Sequence, residues 1–421
     1  MEDGMTTSSS FIEGRGWLFC RGCLGNDLFS ALDFGELPIA NELLLSQESK
    51  IDRFPLHLRV CVDCGLGQVA DVVTPERIFR DYRYESSTST TFLQHAWDFV
   101  EARVQEGTVS QGDWVLEIAS NDGYLLKNFL PHGIRVIGVE PAENIAEISR
   151  GLGIETISEF FSSEIATNLL SKHGHPKLII ANNVMAHVPD LVDFLKGLAL
   201  LSGQETQITI ENPSLANILV GMQFDTIYHE HYSYLSASAV AQVSKVHGLQ
   251  LFKVEELPIH GGSNRYWLRK FVEGGSIDKS VSKIIEFEVA LKLLDPMEWK
   301  SYSSRVSVVV NEFLKLLQSA KKEGRKIFGY GAAAKASTLL NMLGVEEGFI
   351  QAIGDASQEK QARFMPPYGI RIISPQELFL ENPTDIVIFP WNIKFEIVNF
   401  LRSNLGNNVR LWCVIPELHE V

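Results

Sequence analysis

Two Cys-x-x-Cys pairs, Cys20 with Cys23 and Cys61 with Cys64, constrain this chain more than any other feature. Each pair closes a tight knuckle, and two knuckles complete a tetrahedral four-thiolate zinc site. Gly22, Gly25, Gly65 and Gly67 sit in or just after the knuckles, where turns must aim successive thiolates at one point. Disulfides or a redox dithiol are the competing readings. Met1 to Ser10 is polar, with no apolar core of a secretion signal, and the pairing itself weighs against both. Four protein thiolates leave no open position, so the expected zinc is structural and activates no water. A fifth cysteine, Cys413, lies in the apolar run Val409 to Ile415 and reads as core.

A chain of 421 residues should divide into two or three domains. Its net charge of −15 argues against a broad attraction to nucleic acid or anionic membrane. No apolar run approaches membrane-spanning length, so the expectation is a cytoplasmic protein with neither partner.

The middle of the chain alternates strands and helices, the mark of a doubly wound parallel sheet. Asp113 to Ile118 reads as a strand, Ala119 to Gly123 as a turn and Tyr124 to Leu130 as a helix start. Val136 to Val139 is a second strand, ended by Glu140 and Pro141. A turn leaving strand one, with a carboxylate ending strand two, is how nucleoside cofactors are held. A dinucleotide wants a Gly-rich turn for its pyrophosphate, and Glu117 to Gly123 contains one glycine. Carboxylates at Glu117 and Asp122 would repel a pyrophosphate and suit the cationic methionyl group of S-adenosylmethionine, with Ala119, Asn121 and Gly123 shaping the turn. Asn183 and His187, following the strand Lys177 to Ala181, would face the same crevice. Phe160 and Phe161 read either as an adenine-stacking surface or, more simply, as core.

The run Tyr228, His229, Glu230, His231, Tyr232, Ser233, Tyr234 concentrates imidazoles, a carboxylate and phenols. Such a loop is equipped to take a proton from a weak carbon or oxygen acid; it could also simply close a sheet edge. His229 and His231 alternate, which excludes the four-residue helical spacing of a zinc protease. Before it, Tyr82 precedes the hydroxyl-rich Ser86 to Thr91, a capped loop or a sugar-lining one, and a helix from Phe92 to Val104. After it, His260, Gly261, Gly262, Ser263, Asn264 and Arg265 read as a hairpin turn whose Arg could meet an anion. Amphipathic helices, Val281 to Leu293 and Trp299 to Lys322 interrupted at Pro296, lead to a third unit. There the strand Lys326 to Tyr330 runs into Gly331, Ala332, Ala333, Ala334, Lys335, Ala336, Ser337. Small residues opening a helix leave amides bare, an anion site once Lys335 is added, or merely allow tight packing. Asp355, Trp391 and Asn392 stand at later strand ends.

Taken in order, these motifs resemble the nucleotide-sugar C-methyltransferases of deoxysugar biosynthesis over nearly the whole chain. The resemblance implies an α/β protein with an N-terminal four-cysteine zinc module (1–80), a central class I S-adenosylmethionine methyltransferase domain of Rossmann-like fold (81–295) and a C-terminal Rossmann-like substrate-binding domain (296–421). It implies methylation at C3 of a nucleoside-diphosphate 4-keto-deoxyhexose, with His231 as general base and Tyr228, Glu230, His187 and Tyr82 around the sugar. Tyr228 and His187 are the expected enolate donors, and Glu230 the residue that orients an imidazole. Cofactor contacts are expected from Glu117, Ala119, Asn121, Asp122, Gly123, Glu140, Pro141, Phe160 and Asn183. Substrate contacts are expected from Ser263, Arg265, Gly331, Lys335, Ser337, Asp355, Trp391 and Asn392. Ala119 departs from a common Gly, and Pro366-Pro367 from an expected Pro-Gly. The alternatives are an NAD-dependent sugar-nucleotide oxidoreductase or a methyltransferase for a non-sugar carbon acid; a monomer or weak homo-oligomer is expected.

Overall fold

The computed structural model describes residues 15–70, 72–79, 87, 90–344, 348–366 and 368–421. They build three sheets. The N-terminal sheet is antiparallel, in the order Leu28–Leu37, Phe54–Cys61, Gly67–Gln68, Ser233–Tyr234. Its last strand is donated by the end of the Tyr228 to Tyr234 loop, so the zinc module closes only with a piece of the central domain.

The central sheet has the order Leu249–Leu257, Ser263–Lys270, Gln207–Pro213, Leu178–Asn182, Trp114–Ile118, Arg135–Val139, Glu155–Ile157. All are parallel except Ser263–Lys270, which runs antiparallel to both neighbours. Interior parallel strands are covered on both faces, which explains why Trp114–Ile118 is buried at every residue. The chain leaves Trp114–Ile118 in one direction and returns on its other side with Leu178–Asn182. That reversal opens a crevice at the carboxyl ends of these strands.

The C-terminal sheet repeats the plan: Phe364–Met365, Ile370–Ile373, Ile353–Gly354, Ile327–Tyr330, Asp385–Ile388, Arg410–Cys413, His419–Glu420, five parallel strands with an antiparallel strand at each edge. Its reversal lies beside Ile327–Tyr330. One apolar core joins the units. It runs from Leu56, Leu58 and Val60 through Leu215 and Ile218 to Trp299, Tyr302 and Phe313, and on to Ile327, Ile353 and Val387.

Two local expectations change. The segment after Tyr124 is a 3-10 helix, Leu126–His132, because Pro131 cannot donate an amide to an α-helical ladder. Pro296 interrupts nothing: it opens a 27-residue helix, Pro296–Lys322, whose first turn is capped by Asp295 accepting from the Met297 amide at 2.8 Å. Among the described residues no helix is long and apolar enough to cross a membrane.

Candidate active site and zinc centre

The four thiols of Cys20, Cys23, Cys61 and Cys64 converge, with all sulfur atoms within 4.8 Å of one another. Cys20 Sγ lies 3.5 Å from Cys64 Sγ and Cys23 Sγ 3.6 Å from Cys61 Sγ. No disulfide joins them. A tetrahedron of Zn–S bonds of about 2.3 Å needs edges of about 3.8 Å, so the set fits zinc with no room for a fifth ligand. Arg21, inside the first knuckle and fully buried, donates from its guanidinium to the Val69 and Pro189 carbonyls and stacks on the Tyr232 ring at 5.3 Å. The metal knuckle is thereby tied to the segment after His187 and to the His-Glu-His loop.

At the central crevice, Ala119, Asn121 and Gly123 take φ values of 54, 49 and 79°. Ala119 therefore occupies the left-handed region without the freedom of glycine. The Glu140 carboxylate braces the turn: Oε2 accepts from the Asn121 amide and Oε1 from the Ala142 amide, both at 3.0 Å. Asp122 accepts the Tyr124 amide at 3.2 Å and the Ser87 amide at 3.1 Å. Glu117 is buried, and desolvation plus the nearby Asp122 and Glu140 charges push its pKa well above the carboxylate range. Its Oε2 has no protein partner, nor has the buried Ser120 hydroxyl. Three carboxyl groups around one turn, one with an orphan oxygen, fit a cationic nucleoside ligand such as S-adenosylmethionine and oppose a pyrophosphate. Asn183, at φ 53°, donates its amide to the Glu211 carbonyl at 2.6 Å beside this crevice. Pro141 is half-buried. Phe160 is 43 % exposed, so the core reading holds for Phe161 alone, which packs on Phe194 at 5.6 Å.

The His-Glu-His loop sorts its side chains between two tasks. His229 donates to the Phe54 carbonyl at 3.1 Å, and Tyr232 to the Val73 carbonyl at 2.6 Å. Glu230 Oε1 accepts from the Asn41 amide at 3.0 Å and its side-chain Nδ2 at 3.1 Å. These three anchor the loop to the zinc module. Tyr228, His231 and His187 form the other set. The His231 ring lies 4.3 Å from Tyr228, 4.7 Å from His187 and 5.8 Å from Tyr234. His231 Nε2 is 3.1 Å from the Tyr228 hydroxyl. Desolvation and the facing His187, His260 and Lys335 depress the His231 pKa well below its ordinary value, and burial lowers that of His187 to about 4. Both rings are neutral near pH 7.

Two expected roles change here. The Glu230 contact to an imidazole is made by its carbonyl oxygen, which takes the His187 Nδ1 proton at 2.6 Å, while its carboxylate faces Asn41. A neutral His187 protonated on Nδ1 presents Nε2 as an acceptor, so it cannot donate to an enolate. Tyr82 lies outside the described residues, as does Pro367.

Of the expected substrate residues, Lys335, Trp391 and Asn392 come together. Lys335 Nζ donates to Asn392 Oδ1 at 2.7 Å and sits 4.1 Å above the Trp391 ring. Desolvation lowers its pKa to about 8, against the pull of Asp225. Asp225, which no sequence pattern marks, is fully buried, accepts from Trp391 Nε1 at 2.8 Å and has its pKa raised by burial to about 6. Gly261 has φ 85° and stands against Trp391, where any Cβ would collide with the indole. Asp355 accepts from the Ala332 amide at 2.7 Å and the Ser357 amide at 2.8 Å. Gly331 packs on Pro390, and Ser337 is buried within its helix. Arg265 is engaged within the central sheet. Its guanidinium is held by Glu211 at 2.8 Å and Glu255 at 3.0 Å, beside His95, and Ser263 Oγ donates to the Ile259 carbonyl at 3.3 Å. Neighbouring carboxylates in the sheet claim that Arg, which a linear motif cannot show.

Comparison with known proteins follows the same three parts. Residues 20–79 match the family model of a zinc binding domain, 93–254 that of a methyltransferase domain and 258–416 that of the C-methyltransferase C-terminal domain. The C-methyltransferase NovU of Streptomyces niveus is 30% identical over 400 residues, covering 94% of this chain and 95% of that protein. Among solved structures, magnesium protoporphyrin IX methyltransferase of Synechocystis PCC 6803 with bound SAM is 13% identical, covering 47% of this chain and 89% of that one at TM-score 0.34. The PH0226 protein of Pyrococcus horikoshii OT3 is 14% identical, covering 47% and 98% at TM-score 0.36.

Proposed function

Since this chain belongs to the zinc-bearing, S-adenosylmethionine-dependent C-methyltransferase family, we propose that the carbon it methylates is C3 of a 4-keto-deoxyhexose carried on a nucleoside diphosphate. One observation supports this reading above others: the chain holds two nucleoside-type crevices around one imidazole pair. Asp355 takes the amide of the first C-terminal turn and the amide two residues ahead, the arrangement that Glu140 has in the central domain. Carboxylates so placed suit ribose hydroxyls. The first crevice serves the cofactor and the second the sugar nucleotide, with Lys335 as the cation that meets the substrate's negative charge.

A carbon beside a ketone is acidic because its anion spreads onto oxygen. With the Tyr228 hydroxyl as donor to an unprotonated His231 Nε2, 3.1 Å away, the C3 proton passes to the phenol oxygen as the phenol's own proton passes to the imidazole. His231 is thereby the base and Tyr228 the contact with carbon. His187 Nε2 accepts from a sugar hydroxyl and orients the ring, and the Lys335 charge favours the enolate. When bound, S-adenosylmethionine would supply an electrophilic methyl group on a cationic sulfur.

Mass spectrometry of the zinc-loaded protein incubated with S-adenosylmethionine and a panel of nucleoside-diphosphate 4-keto hexoses tests the substrate class. One added methyl on the sugar is the expected result. Methylation of a non-sugar carbon acid, with every panel member untouched, would overturn it.

A further inference from the structure

We propose that Asn41, in the zinc module, is a positioning residue that fixes the tautomer of His187 in the methyltransferase domain, acting through Glu230. Asn41 follows the strand Leu28–Leu37 and is itself exposed, yet both its backbone amide and its side-chain Nδ2 donate to Glu230 Oε1, at 3.0 and 3.1 Å. The Glu230 side chain is buried, with 2 % of the residue exposed, and a buried carboxylate holds its place only where donors meet it. Its other oxygen, Oε2, is buried without a partner among the described residues, so Oε1 and the two Asn41 donors carry the clasp. Two donors from one residue on a single buried oxygen leave the side chain little freedom, so the clasp fixes the whole Glu230 residue, backbone included.

The other end of Glu230 carries the consequence. Its carbonyl oxygen lies 2.6 Å from His187 Nδ1. A carbonyl can only accept, so Nδ1 carries the proton and Nε2 carries the lone pair. His187 sits on the short turn Met185–His187 after the strand Leu178–Asn182, with its ring 4.7 Å from that of His231. A loop at the end of the N-terminal sheet away from the cysteines, where Leu37 pairs with Phe54, thus decides which nitrogen of an imidazole in the adjoining domain is an acceptor.

The role of His187 in catalysis rests on the function proposed above; the tautomer itself does not. Long-range proton–nitrogen spectra of the histidine rings in the zinc-loaded full chain read it directly, with His187→Asn supplying the assignment. Asn41→Ala removes one donor from an exposed residue, and Asn41→Asp keeps the size while setting a carboxylate against Glu230. Wild type is expected to show His187 protonated on Nδ1 alone, and both variants a mixture of the two tautomers. In both, kcat should fall at least about tenfold, the scale of a misplaced contact in a reacting site, with S-adenosylmethionine affinity unchanged. An unchanged His187 spectrum in both variants would overturn the proposal, and unchanged kcat beside a shifted spectrum would overturn the catalytic part of it. Shifted spectra in a protein that methylates no sugar would leave the clasp standing and remove only the substrate assignment.

Discussion

Lys335 and Arg265 are both cations near the crevices, and their neighbours give them opposite fates. Arg265 is 6 % exposed and neutralised by Glu211, itself 1 % exposed. Arg265→Ala would strand that carboxylate, costing about 3–5 kcal/mol of stability. Denaturant unfolding should show this loss, and a stable variant with weakened substrate binding would instead restore Arg265 to the ligand site. Lys335 is held by Asn392 and the Trp391 ring, neither of which carries a charge. Its pKa of about 8 means that the ammonium is present at pH 7 and lost as pH rises through 8. The KM for the sugar nucleotide should therefore climb above about pH 8, and Lys335→Met should raise it at pH 7 by roughly tenfold to a hundredfold, the worth of one charged contact. A flat KM from pH 7 to 9 in the wild type would deny Lys335 that role.

Among the elements, the Tyr228 to Tyr234 loop is where the two readings of one stretch meet. It closes a sheet edge, through Ser233–Tyr234 on Gly67–Gln68, and it also presents His231 beside Tyr228. The Cys61 to Cys64 knuckle leads into Gly67–Gln68, the strand that Ser233–Tyr234 pairs with, whereas the cofactor turn belongs to a different sheet. Stripping the metal with a chelator should abolish methyl transfer while S-adenosylmethionine still raises the melting temperature of the apoprotein. Loss of both together would show that the cofactor domain also depends on zinc. The knuckles were legible because ligand spacing is local, and the central strands because apolar runs bounded by turn residues are local too. Asn41 facing Glu230, Asp225 facing Trp391 and His95 facing Glu211 were not legible, since each pair is distant in sequence and joined only by the packing of separate elements. The same cause hid the fate of Arg265, whose partners arrive from two other strands. Pro296 was misread because a proline signals a break and a first helical position equally well.

Across the whole molecule, two doubly wound sheets each end their first strand in a turn braced by a carboxylate, and the zinc module holds the loop that carries His231. On the proposed function, such an arrangement would bring a carbon acid and an electrophile to a base that carries no charge. Proton removal should then occur before any methyl is available. The most direct measurement is deuterium uptake at C3 of a nucleoside-diphosphate 4-keto-deoxyhexose in deuterated water, without S-adenosylmethionine, comparing wild type with His231→Asn by nuclear magnetic resonance. Wild type should exchange the C3 proton, and the variant should be slower by at least about 100-fold, the usual scale of general-base catalysis. Equal exchange by the two proteins, or none by the wild type, would contradict the account.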